Sequence, residues 1–476
     1  MSDATSQKLS RGALVALVVG SMVGAGIFTL PSAFGRSTGV LGALISWAIA
    51  GTGMLMLAFV FQTLSRRKPE IDAGIFGYAE AGFGHYLGFV AAFGYWIACC
   101  LADVACLVLI KATLGQFLPI FGDGATVAAI LCASVIVWLV HLLVLRGVKE
   151  AAALNTIATV AKIVPIGIFI FVVIAGFRAD VFALNFWGGE DASLSSIASQ
   201  VRNTMLVTVF VFVGIEGASV YSRHARNRDD VGWATVLGFL GVLCLLVMVT
   251  VFSYGILLRP ELAALATPSM AGVMEAIVGP WGRVFVSIGL LISIAGNYLS
   301  WSLLAAEVLH SAAKHNTLPA FLGRENARQV PHAALWLTNI VIQVFLLVTY
   351  FAESAFTIAL KMTSAMTLIP YLLVAAYGAK LAWTGETYGT AAGTRRREGV
   401  FAAVATLYAI TMLVAGGPKY ILLASLLYAP GTWLYLRARR EQGREVFTRP
   451  EAAAFAGVCA VAAFALYALL SGRISI

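Results

Sequence analysis

Gly20-Ser21-Met22-Val23-Gly24-Ala25-Gly26-Ile27-Phe28 interrupts the first long apolar stretch of the chain, and Phe212-Val213-Gly214-Ile215-Glu216-Gly217-Ala218-Ser219 interrupts the sixth. Glycines are common in membrane helices because they let helices pack closely, and one such cluster alone is as well explained that way. A pair in corresponding positions carries more. Transporters built from two inverted repeats unwind matching helices near the bilayer midplane, and paired Gly-interrupted segments point to the site. Unwound backbone is tolerated in a membrane only where it lines a cavity or is buried in protein. Freed N–H groups at the start of a half-helix suit a carboxylate, and freed carbonyls suit an ammonium. The two breaks together fit an amino-acid-like ligand, with ion binding at the same breaks as the open alternative.

The rest of the chain supports a membrane setting. Of 476 residues, 60% are hydrophobic and 12% charged, against about 25% charged in soluble domains. Between Ala125 and Leu145 the only acidic or basic side chain is His141, and Val236 to Leu258 has none. We read about thirteen segments long enough to cross a bilayer. Their centres lie near Val23, Leu55, Cys99, Val135, Phe169, Val211, Leu245, Ala295, Ile342, Leu368, Leu407, Ser425 and Val461. The first follows Lys8 and Arg11 and is read as a retained span rather than a cleaved signal. No connection is long enough for a large soluble domain, so the chain reads as one all-α polytopic membrane domain.

The net charge of +9 is placed as topology. Alternate connections hold the basic residues: Arg66 to Lys68, Arg146 and Lys149, Arg223 to Arg228, Lys314 to Arg328, Arg395 to Arg397, and Arg437 to Arg449. The intervening ones carry Arg36, Arg178 or Arg259. This is the positive-inside pattern, which excludes a nucleic-acid footprint. It predicts a cytoplasmic N-terminus and, with an odd span count, a C-terminus outside, in a bacterial inner membrane.

Ionisable residues inside spans are costly and functional by default. Glu216 sits in the second break and Asp103 in mid-span; both are expected to act on a ligand, with an ion pair to Lys162 as the structural alternative. Two buried acids favour a cationic ligand, and Phe210, Phe212 and Trp301 offer an aromatic wall. Glu307 is expected to contact Lys314 or a nearby loop, and Lys361 to snorkel toward the interface. The six cysteines read as packing residues, Cys106 being the partial exception. No His, Asp or Cys cluster has the spacing of a metal site or a catalytic constellation, so neither an enzyme nor a metal or other cofactor is expected.

An ordered set of motifs then carries a resemblance over nearly the whole chain. It comprises Gly24-Ala25-Gly26-Ile27-Phe28 with Leu30-Pro31, Pro69-Glu70-Ile71-Asp72-Ala73-Gly74-Ile75-Phe76, Gly94-Tyr95-Trp96, Phe212 to Ala218, and Tyr298-Leu299-Ser300-Trp301 running to Glu307. The chain resembles the amino acid–polyamine–organocation (APC) transporters, and within them the basic amino acid/polyamine antiporters. Ser222 to Asp230 and Trp336-Leu337-Thr338-Asn339 look most like the arginine/ornithine exchangers.

The resemblance implies a leucine-transporter-type 5+5 inverted repeat with broken helices 1 and 6. The repeats would span about 10–180 and 200–380, with additional helices over about 399–471. It implies that Met22, Gly24, Ala25 and Gly26 meet the substrate's carboxylate and amino group. Trp301 would stack on the cationic side chain, Phe210 and Phe212 would lie beside the pocket, and Tyr95, Glu216 and Tyr371 would form a gate. Relatives tend to have Asn at Asp103 and Met or an aromatic at Cys106. Ala25 replaces a Ser and Phe210 a Trp of the arginine/agmatine exchangers. These departures leave arginine, ornithine, lysine, histidine and diamines or polyamines open as substrates. Lys162 resembles a lysine that replaces a sodium site in proton-coupled relatives, so proton symport stands beside exchange. The thirteenth span is read either as a homodimer contact or as accessory.

Overall fold

The protein's computed structural model describes residues 11–71, 74–146, 149–189, 192–216, 228–352, 354–389 and 392–474. Among them every regular element is a helix. The order begins with α1 (Arg11–Met22), a 3-10 turn (Ala25–Thr29) and α2 (Leu30–Gly35). Next come α3 (Val40–Arg67), α4 (Gly74–Phe83), α5 (His85–Gly115), α6 (Val127–Leu145), α7 (Lys149–Ala175), α8 (Ala179–Leu184) and α9 (Leu194–Phe210). After the second glycine cluster follow α10 (Arg228–Ser253), α11 (Arg259–Ala264), α12 (Ser269–Val278), α13 (Pro280–Lys314) and α14 (His332–Val348). The chain continues through α15 (Ala355–Thr384), α16 (Ala392–Ala415), α17 (Pro418–Glu441) and α18 (Arg449–Leu470).

Nine helices among the described residues are long and apolar enough to cross a membrane, in α3, α5, α6, α10, α13, α14, α15, α16 and α18. The chain is a multi-pass membrane protein. The other four segments read from the sequence differ for local reasons. Val23 and Val211 fall on interruptions rather than inside helices. α7 is 27 residues long, and its side chains are described from Lys162 to Ala175; α17 carries Arg437, Arg439 and Arg440 near its end.

α5 is the axis of the bundle. Every residue from Gly88 to Lys111 is buried, which an apolar helix achieves only when neighbours enclose it on all sides. α13, α14, α15 and α17 pack around it. Trp96 Nε1 donates to Thr338 Oγ1 of α14 at 3.0 Å. At the start of α5, the Tyr86 amide donates to Glu451 Oε1 at 2.9 Å. Glu451 also accepts from the Thr448 amide at 2.9 Å as part of a capping box, so one carboxylate caps α18 and anchors α5.

Basic side chains gather where α3, α13 and α17 end. Arg67 Nε lies 2.5 Å from Glu398 Oε2, and Lys68 Nζ 2.6 Å from Glu386 Oε1. Lys314 Nζ lies 2.8 Å from Glu325 Oε1, a hydrogen bond that holds the Glu325 carboxyl below the usual range. Glu307 does not meet Lys314 as expected. It faces solvent, 3.7 Å from His310 Nδ1, while Glu325 takes the lysine. Arg223, His224 and Arg226 lie outside the described residues.

Opposite this end, Asn185 ties three segments together at the C-terminus of α8. Its Nδ2 donates to the carbonyls of Tyr254 at 2.7 Å and Leu257 at 3.0 Å, and its Oδ1 accepts from the Arg259 amide at 2.8 Å. Tyr254 Oη in turn donates to the Thr38 carbonyl at 2.6 Å. Asn185→Ala strands these buried groups at a cost of about 2–4 kcal/mol. A fall of several degrees in the melting temperature of the detergent-purified protein is the expected outcome, measured by intrinsic fluorescence.

Candidate substrate-binding site

The two glycine clusters meet. The first break leaves Gly24 extended (φ −123°, ψ −157°) before the 3-10 turn opens at Ala25. The amides of Gly24, Ala25 and Gly26 therefore precede the first intrahelical acceptor. The second break runs through Val211 to Glu216 and places Gly214 at φ +107°, where a side chain would be strained. Ser21 Oγ donates to the Gly214 carbonyl at 3.0 Å. A Cβ on Gly214 would lie 2.7 Å from the Ser21 carbonyl oxygen, and one on Gly26 2.6 Å from Val211 Cγ1. Glycine at these positions is thus what lets the broken segments touch.

Between them lies a cavity of about 30 Å³. Met22, Gly24, Ala25 and Gly26 line it from the first break, Cys106 from α5, Phe210 from the end of α9, and Asn297 and Trp301 from α13. That volume suits about one water molecule. The site is closed, and an amino acid enters only if Phe210, Trp301 or the half-helices move apart.

Two of the expected contact residues lie elsewhere. Phe212 is fully buried behind the break, edge-on to Trp47 at 5.9 Å and against Phe239 at 5.2 Å. Neighbouring helical residues are about 100° apart around the axis. Ala102 and Cys106 take the cavity face of α5, and Asp103 is turned away from it. Both Asp103 oxygens are buried without a hydrogen-bond partner, as is Tyr298 Oη of α13, on which Asp103 acts electrostatically.

The expected gate residues come together. Tyr95 Oη of α5 donates to Glu216 Oε1, and Tyr371 Oη of α15 donates to Glu216 Oε2. The Gly214 amide donates to Glu216 Oε2 at 3.2 Å. This knot ties the second break to α5 and α15. Lys162 Nζ donates to the Gly20 carbonyl and to Asn297 Oδ1, both at 3.1 Å. The lysine thereby fastens α7 to the first break and to α13.

Asn297 is the residue that the sequence reading misses. It lines the cavity, accepts from Lys162, and its Nδ2 lies 3.5 Å from Cys106 Sγ. It carries no charge, so a search for intramembrane ions passes over it. Its place beside Tyr298-Leu299-Ser300-Trp301, as an amide inside an apolar helix, is the signal that could have found it.

The profile of the amino acid permease family matches residues 9–429. The chain belongs to that family of membrane transporters. It is similar to an arginine/ornithine antiporter of Pseudomonas aeruginosa, 53% identical over the full length of both chains. It is 40% identical to an L-lysine transport protein of Corynebacterium glutamicum, over 99% of this chain and 97% of the relative. It is 35% identical to an arginine/agmatine antiporter of Chlamydia pneumoniae, over 99% of each.

Glu216→Gln keeps the shape of the knot but gives up its charge-assisted bonds, loosening the hold of Tyr95 and Tyr371 on the second break by about 1–2 kcal/mol. Cys99, one turn along α5 from Tyr95, is 1% exposed. In a protein whose other cysteines are replaced by serine, its maleimide labelling rate is expected to rise about tenfold. An unchanged rate would contradict that hold.

Proposed function

We propose that this protein exchanges cationic amino acids across the membrane, arginine entering against ornithine, by alternating access. The observation that carries this reading is the closing of both broken segments on one cavity that the indole of Trp301 also lines. Free amides at Gly24 to Gly26 suit the substrate carboxylate. A cation over the Trp301 face gains about 0.5–2 kcal/mol, enough to favour a cationic side chain in a dry site.

The reading extends to the whole fold. Thirteen spans form a five-plus-five inverted repeat over about 10–180 and 200–380, with further helices over about 399–471. The basic end, near the Glu216 knot, faces the cytoplasm together with the N-terminus. Transport follows from rocking the broken segments against α5 and α13. Glu216, Tyr95 and Tyr371 separate as the site opens inward. Phe210 moves as it opens outward.

Lys162 favours a second reading, proton-coupled symport of a cationic amino acid. Its ammonium holds the Gly20 carbonyl and Asn297, a place where a cation supports the unwound backbone. The two readings separate in purified proteoliposomes given external radiolabelled arginine. Exchange requires uptake only into vesicles preloaded with ornithine or another cationic solute. Uptake into empty vesicles under a pH gradient contradicts exchange and selects symport.

A further inference from the structure

Along α5 the structure has three levels. Tyr95 belongs to the Glu216 knot, Ala102 and Cys106 to the closed cavity, and Val108, Lys111 and Ala112 to a second cavity of about 490 Å³. At 1.5 Å rise per residue, Lys111 stands about 7–8 Å beyond Cys106. A shorter step of three residues, about 4.5 Å, separates the two cavities on the facing walls, from Phe210 to Val207 and from Thr363 to Leu360. Phe210, lining the closed cavity, meets Phe356, lining the larger one, edge to face at 6.5 Å. The larger chamber therefore lies directly above the closed cavity, behind an aromatic partition. Its volume is that of a pocket for a whole small molecule.

Lys111 is the unusual group in its wall. The side chain is 2% exposed, and its Nζ has one hydrogen-bond partner, Thr349 Oγ1 at 3.2 Å. An ammonium has three donors, and a buried charge is ordinarily paired. Among the described residues no carboxylate lies within ion-pair distance of it. Lys361 of α15 lines the same chamber, with its Nζ 5.8 Å from the Tyr420 ring centroid. Asp123 stands on the exposed rim, where its Oδ1 accepts from the Ala125 amide at 3.0 Å. Arg36, whose Nε donates to the Ala263 carbonyl at 2.9 Å, also lines it, so the chamber offers a buried lysine with two further basic side chains and one carboxylate at its mouth.

We propose that this chamber is a second ligand site, in which Lys111 receives the α-carboxylate of an amino acid before it passes to the closed cavity. The site admits amino acids and disfavours their decarboxylated amines, which bring only positive charge to the Lys111 wall. A zwitterion with a cationic side chain fits both poles, carboxylate to Lys111 and side chain toward Asp123. The inference rests on the cationic amino-acid reading above and adds a selectivity step to it.

The test uses proteoliposomes loaded with ornithine, oriented by sidedness-selective labelling, with external arginine as substrate. External agmatine, which is arginine without its carboxylate, serves as competitor. Lys111→Met is expected to raise the external KM for arginine about tenfold. The inhibition constant of agmatine and the KM for internal ornithine should stay within about twofold, because agmatine has no carboxylate and internal ornithine binds from the opposite side of the closed cavity. Lys111→Arg is expected to restore most of the arginine affinity. Lys111→Gln, which keeps a donor for Thr349, replaces the methionine variant if that one fails to fold.

Equal shifts for arginine and agmatine, or no shift at all, would overturn the proposal. So would a wild-type KM that changes when chloride is replaced by gluconate while the variant's does not, since Lys111 would then hold a free anion. Absence of arginine–ornithine exchange in the wild type is a different failure. It sinks the substrate reading and is visible before any variant is made.

Discussion

Broken backbone inside a membrane must find partners within the protein, and the architecture described here is organised by that constraint. The first break gives its Gly20 carbonyl to Lys162 and sets Ser21 against the Gly214 carbonyl of the second. The second returns the Gly214 amide to Glu216. Each interruption is supported partly by the other, so neither reads as an isolated packing defect. Gly24, Ala25 and Gly26 line the cavity with amides that precede the first intrahelical acceptor. A ligand carboxylate can satisfy them at little cost, because the helix end is already formed.

α5 gives the constraint a direction. Buried continuously from Gly88 to Lys111, it presents gate, cavity and chamber at successive heights along one rigid rod. Polar groups on it are held in low dielectric, where each unpaired charge acts strongly on whatever enters. Glu216 has two tyrosines and a backbone amide to share its charge. Asp103 has no hydrogen-bond partner and Lys111 only a threonine hydroxyl.

Composition and span length made the membrane class legible, and glycine clustering located both breaks to within a few residues. Val23 and Val211, read as span centres, fall on the interruptions because an apolar pattern does not distinguish a helix from an unwound segment at its middle. Motif resemblance pointed to Tyr95, Glu216 and Tyr371, three residues from separate segments that no local pattern could have joined. The face of a helix was less legible. Asp103 and Phe212 sit within a few positions of lining residues yet point elsewhere, and hydrophobicity around α5 is too uniform to reveal which side meets the cavity. Asn297 escaped because neutral amides carry no charge signal. Lys111 sits near a span end, where a lysine is ordinarily assumed to reach water.

The central claim is that the two broken segments hold the substrate between them, and a cryo-EM structure with arginine bound tests it most directly. The expected result places the arginine carboxylate within about 3 Å of the Gly24 to Gly26 amides, with its guanidinium over the Trp301 ring. Arginine bound elsewhere, with the space between the breaks still closed at saturating ligand, would contradict it.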